Sequence, residues 1–124
     1  MQDHGLQLQT ACYDIARFRE QLASARTFTF YSQVATLKAA GLIKGGSLDN
    51  AVVFDGDGEP MNPEGLRFPD EWVRHKALDV FGDLSLAGLP IRGQYEATRP
   101  GHTLNRMLLE ALLSDTRNFR VACD

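Results

Sequence analysis

Of the three histidines in this chain, two stand at spacings that allow chemistry. His75 and Asp79 are four residues apart, and with Glu71 and Asp83 they fall at i, i+4, i+8 and i+12, one face of a helix. An imidazole and a carboxylate one turn apart can grip one cation from the same side. A catalytic zinc needs three protein ligands and an open position, so this helix would offer two of them. The same spacing also fits a weak His–Asp pair on a wet surface, and by itself it leaves both readings open. His102, in Pro100-Gly101-His102-Thr103, stands where a helix should begin. It reads either as a helix-start or loop histidine, or as a proton donor to a leaving amine, oriented by a carboxylate such as Asp83. His4 carries no such signal.

Other chemistries find little support. Gly45-Gly46-Ser47 precedes a strand rather than a helix and lacks the Gly-Lys-Ser/Thr ending of a phosphate loop. No Gly-x-Ser-x-Gly nucleophile elbow occurs. Cys12 and Cys123 lie near opposite ends and read as two free thiols, neither a disulfide framework nor a metal knuckle.

The elements that must position these residues follow from periodicity. Leu6 to Tyr13 alternates and predicts a strand; Ile15 to Ala25 predicts a short helix. Thr27-Phe28-Thr29-Phe30 predicts a strand, Ser32 to Ala40 a helix stopped at Gly41, Gly45-Gly46 a turn, and Asn50 to Phe54 a further strand. These last elements form a β-α-β unit of roughly 30 residues. The glycine- and proline-rich run from Asp55 to Pro69 predicts loops. Asp70 to Leu86 is the longest predicted helix, with Val73, Ala77, Val80 and Leu84 as its core stripe and Glu71, His75, Asp79 and Asp83 facing away from the core. A strand over Gln94 to Thr98 and a helix from Thr103 to Leu113, striped by Leu104, Met107, Leu108, Ala111 and Leu112, complete the pattern.

At 124 residues, 44% hydrophobic and 23% charged, the chain has the composition and length of one globular domain. A net charge of −3 without a basic stripe argues against a nucleic-acid partner. No apolar run is long enough to cross a bilayer, and the first residues have neither a basic nor an apolar leader pattern. The expectation is a cytoplasmic protein without a transmembrane segment.

Several stretches resemble one family when taken in order. They are Ala25-Arg26-Thr27-Phe28-Thr29-Phe30, Gly45-Gly46-Ser47-Leu48-Asp49-Asn50, Asn62-Pro63-Glu64-Gly65-Leu66-Arg67-Phe68, Asp70-Glu71-Trp72-Val73-Arg74-His75-Lys76-Ala77-Leu78-Asp79, Gly82-Asp83-Leu84 and Gly101-His102-Thr103-Leu104-Asn105. They are similar to the second, C-terminal domain of UDP-3-O-acyl-N-acetylglucosamine deacetylase, the zinc amidase of lipid A synthesis in Gram-negative bacteria. The likeness runs from about Leu8 to Leu113, and the stretch from Leu66 to Asp83 is its most specific part. Thr29 departs from a usual glycine, Arg99-Pro100 from Lys-Ser, and Arg106 from asparagine.

The resemblance implies an α+β fold over residues 1–124: a two-layer α/β sandwich, helices packed on one face of a mixed β-sheet, with residues 26–55 as a β-α-β insert that holds an acyl chain. It implies that His75 and Asp79 ligate Zn(2+), or iron in its place. It further implies that Asp83 orients His102, that protonated His102 serves the leaving amine or the oxyanion, and that Thr27 lies near the oxyanion. Lys76 would meet the substrate, Phe28 the sugar, and Val34, Ile43, Ser47, Ala51 and Val53 would line an acyl tunnel; patterning alone would make these last residues plain core.

The family's third ligand and general base are an adjacent Glu-His pair in its first domain, and no Glu-His occurs here. The expected partners are therefore UDP-3-O-acyl-N-acetylglucosamine and a first deacetylase domain in cis or in trans. Little metal and negligible turnover are expected of the chain alone. The alternative is a non-catalytic module that binds an acyl chain or a nucleotide sugar, or that dimerises.

Overall fold

The computed structural model describes residues 15–41 and 47–122. The strand expected over Leu6–Tyr13, the Gly45-Gly46 turn, Ile43, His4 and both cysteines lie outside the described residues. The elements are a 3-10 turn Ile15–Arg17, α1 (Phe18–Gln21), β1 (Thr27–Phe30), α2 (Tyr31–Ala39), β2 (Ala51–Phe54), α3 (Glu71–Leu84), a 3-10 turn Ser85–Ala87, α4 (His102–Leu113) and a 3-10 turn Thr116–Asn118. Helices beside a small parallel sheet make this an α+β fold. The chain gathers into two units, Met1–His75 and Lys76–Asp124, with the boundary inside α3.

In the first unit β1 and β2 pair in parallel, Thr27 opposite Ala51 and Phe30 opposite Phe54, with α2 in the connection that parallel strands require. Alternation divides the pair by face. Val52 and Phe54 are each 1% exposed, whereas Ala51 and Val53, on the other face, are half-buried. The rings of Phe28, Phe30 and Trp72 pack on Phe54 with centroids at 6.3, 5.9 and 5.9 Å. Each such aromatic pair adds about 0.5–1.5 kcal/mol beyond the area it buries. After β2 the chain turns at Gly58, whose φ of 87° favours glycine. It returns antiparallel at the Phe54–Pro60 bridge. Buried Asn62 then satisfies strand backbone with its side chain: Oδ1 accepts from Val53 N at 3.0 Å, and Nδ2 donates to Leu48 O and Ala51 O at 2.7 and 2.8 Å.

The helix expected from Ile15 to Ala25 is shorter. It leaves α geometry after Gln21, and Leu22 and Ala25 turn into the core. The chain then closes a turn from Ala25 N to Leu22 O, and the Arg26 N–H goes to the Glu71 carboxylate instead of a helical carbonyl. α3 ends in the Ser85–Ala87 turn and at Gly88, whose φ of 76° makes a left-handed cap.

In the second unit no strand forms over Gln94 to Thr98. A strand needs a partner for its backbone, and among the described residues of this unit there is no other strand to pair with it. α4 also differs from its apolar pattern. Leu104, Met107 and Leu108 are about half exposed, and the buried positions one turn apart are Asn105 and Leu109. Among the described residues, no helix is long and apolar enough to cross a membrane.

Candidate active site

The sequence places Glu71 with His75, Asp79 and Asp83 on an outward face of α3; the structure places Glu71 at 0% exposure. Its carboxylate collects four N–H donors. Oε1 accepts from Arg26 N and Nε, both at 2.9 Å, and Oε2 accepts from Arg26 Nη2 at 3.2 Å and Arg67 N at 2.7 Å. Burial opposes the charge on Glu71, but these donors outweigh it and hold the carboxyl below its usual range. The Arg26 guanidinium is held charged by the same contact and also reaches Glu64 and Gly65 O, the latter at 2.8 Å. A buried charge is tolerable only when paired and hydrogen-bonded, and this pair meets both conditions. Neither residue was assigned this role from the sequence. Their signal was their presence in the family-like stretches, since Arg26 and Glu71 are 45 residues apart.

One turn on, His75 Nδ1 lies 3.1 Å from Ala25 O. A carbonyl only accepts, so Nδ1 is the donor in this contact. Arg74 lies over the Phe68 ring at 4.3 Å and donates to Asp70 at 2.6 Å and to Gln21 O at 2.9 Å, which fixes the first turn of α3.

In the second unit, Asp79 Oδ2 accepts from Lys76 Nζ at 3.4 Å. Asp83 brings together a chain of polar groups. His102 Nδ1 lies 2.8 and 3.0 Å from its two oxygens, and Asn105 Nδ2 donates to Oδ2 at 2.8 Å. Tyr95 Oη in turn donates to Asn105 Oδ1 at 2.7 Å. Burial opposes the Asp83 charge, but Asn105 and His102 outweigh it, so the carboxyl sits below its usual range. Burial, with Asp83 nearby, pushes the Tyr95 phenol up. The carboxylate accepts from Nδ1 of His102, whose side chain is 70% exposed. Asn105 and Tyr95 were not foreseen in this network: a wholly buried asparagine on an apolar helix is visible only once its partners are in place.

The remaining candidates are spread over the first unit. Thr27 is exposed at the start of β1, and Phe28 is half-buried, edge-on to Phe54. Ala51 and Val53 share the sheet face opposite the aromatic cluster. Ser47 is exposed, with its hydroxyl 3.3 Å from Asp49. Val34 lines a shallow depression of about 400 Å³ along α2 with Tyr31, Ser32, Ala35 and Lys38. Among the described residues, no three of His, Cys, Asp and Glu gather in a group that could hold a metal.

Fold and site together define an α+β chain in which a helix-borne carboxylate, Asp83, orients the exposed imidazole of His102. The chain belongs to the UDP-3-O-acyl N-acetylglycosamine deacetylase (LpxC) family, whose model matches residues 2–114. It is 53% identical over 108 residues to the UDP-3-O-acyl-N-acetylglucosamine deacetylase of Phenylobacterium zucineum (strain HLK1), covering 87% of this chain and 36% of that protein. It is 50% identical over 117 residues to the enzyme of the same name from Campylobacter fetus subsp. fetus (strain 82-40), covering 94% of this chain and 40% of that protein. The Anaeromyxobacter sp. (strain Fw109-5) enzyme is 51% identical over 104 residues, covering 84% of this chain and 34% of that protein. This chain thus spans well under half the length of these relatives.

Proposed function

We propose that this chain is part of a metal-dependent amide hydrolase that removes the acetyl group of UDP-3-O-acyl-N-acetylglucosamine in lipid A synthesis. The observation that carries the reading is the Asp83–His102 pair at 2.8 Å, in a chain of this family. His75 and Asp79 would hold the metal, zinc or iron. A nitrogen and an oxygen donor suit zinc, and a ring whose Nδ1–H is anchored on a backbone carbonyl is the arrangement that metal-bound histidines adopt. The metal would supply a bound water of lowered pKa and a polarised carbonyl.

The chain's own groups do the rest. Protonated His102, steadied through Nδ1 by Asp83, gives its Nε2 proton to the departing nitrogen, which leaves as an amine while acetate forms. The Thr27 hydroxyl donates to the oxygen that becomes negative in the tetrahedral intermediate. Lys76 and Phe28 meet the nucleotide sugar, and Val34, Ile43, Ser47, Ala51 and Val53 line the acyl passage. The general base and third ligand, a Glu-His pair, come from protein outside these 124 residues. Alone, therefore, the chain holds metal weakly and turns over negligibly.

The test is His102→Ala in the completed enzyme. A loss of about 10²–10⁴ in kcat is expected, the range for a general acid. Activity near wild type would overturn the assignment.

A further inference from the structure

Glu71 and His75 close on a single peptide group from its two ends. The Ala25–Arg26 peptide offers its carbonyl to His75 Nδ1–H at 3.1 Å and its N–H to Glu71 Oε1 at 2.9 Å. The two side chains stand one turn apart on α3, and the C=O and N–H of a trans peptide point in opposite directions. Pulling the N–H toward Glu71 therefore turns the carbonyl toward His75. Ala25 and Arg26 are 6% and 4% exposed, so water does not compete for the peptide. An N–H that donates to a carboxylate also polarises its own carbonyl and makes it a stronger acceptor.

We propose that Glu71 is a positioning residue for His75. Through the Ala25–Arg26 peptide it fixes the acceptor that takes the Nδ1 proton, and so sets the tautomer and ring direction that present the Nε2 lone pair to a metal. The claim rests on the metal reading above. Arg26 contributes in the same place: its Nε shares Oε1 with its own backbone N–H and its Nη2 reaches Oε2, which holds the carboxylate against that peptide.

The experiment uses the full 124-residue chain, wild type beside Glu71→Ala, Glu71→Gln, Glu64→Ala and His75→Ala. Long-range nitrogen–proton NMR of the His75 ring, at a pH where it is neutral and without metal, reads the tautomer. Zinc titration followed by calorimetry reads affinity in every variant. Wild type should show the Nδ1–H form, Glu71→Ala a mixture of forms, and Glu71→Gln, which keeps an oxygen for the Arg26 N–H, a partial return. Zinc affinity should fall about tenfold in Glu71→Ala, the lower end for loss of an outer-shell partner. Glu64→Ala, which removes a different partner of Arg26, should leave the tautomer unchanged.

An Nε2–H tautomer in wild type overturns the proposal without any variant. So does an unchanged tautomer in a folded Glu71→Ala. Zinc affinity in His75→Ala equal to wild type overturns the metal reading instead, and the tautomer data, taken without metal, keep the two failures apart.

Discussion

Glu71 and Asp83 are carboxylates on one helix, each kept ionised by donors that overcome its burial, yet they face different surroundings. Glu71 is sealed, with guanidinium and backbone N–H groups taking both oxygens. The Asp83 side chain keeps 21% of its surface and spends its oxygens on an asparagine and an exposed imidazole. The sealed carboxylate organises backbone: it ties Arg26 and Arg67 to the first turn of α3 and steers a peptide at His75. The open one organises an exposed imidazole. A buried ionic network gives rigidity where nothing needs to enter, and a half-open one leaves an imidazole accessible.

The largest effect should come from breaking the sealed network. Arg26→Met removes the charged partner, two of the four donors, of a fully buried carboxylate and should cost about 3–5 kcal/mol of stability, read as a lowered urea midpoint. A loss below about 1 kcal/mol would mean that Glu71 finds water, and the contrast between the two carboxylates would dissolve.

Asp83→Asn should cost less, about 1–2 kcal/mol, and should depend on pH. The folded-state pKa of Asp83 is depressed, so its contribution is complete above the ordinary carboxylate value and fades as pH falls through the lower folded value. Urea unfolding of both proteins from pH 7 to pH 2 should show a constant gap down to about pH 4 that closes below it. A gap that widens in acid would reverse the sign and refute the account.

The smallest effect tests the opposite situation, a polar group with no network. Thr29 Oγ1 is buried and has no hydrogen-bond partner among the described residues. Thr29→Val keeps the shape and deletes the unsatisfied hydroxyl, so it should raise stability by up to about 1 kcal/mol. A loss of that size would show that the hydroxyl has a partner, in water or elsewhere.

Much of this was legible in one dimension. Alternation located β1 and β2, and periodicity located α2, α3 and α4, because local backbone geometry repeats every two or 3.6 residues. The network around Glu71, the Asn62 amide on the β2 backbone, the Tyr95–Asn105 link and the missing strand at Gln94–Thr98 were not legible. Each depends on a partner distant in sequence, and a charged or amide side chain gives no sign of whether it will meet water or a donor. Periodicity assigned Glu71 to solvent because an isolated carboxylate belongs there; only the arrival of Arg26 from 45 residues away made the interior the lower-energy place for it.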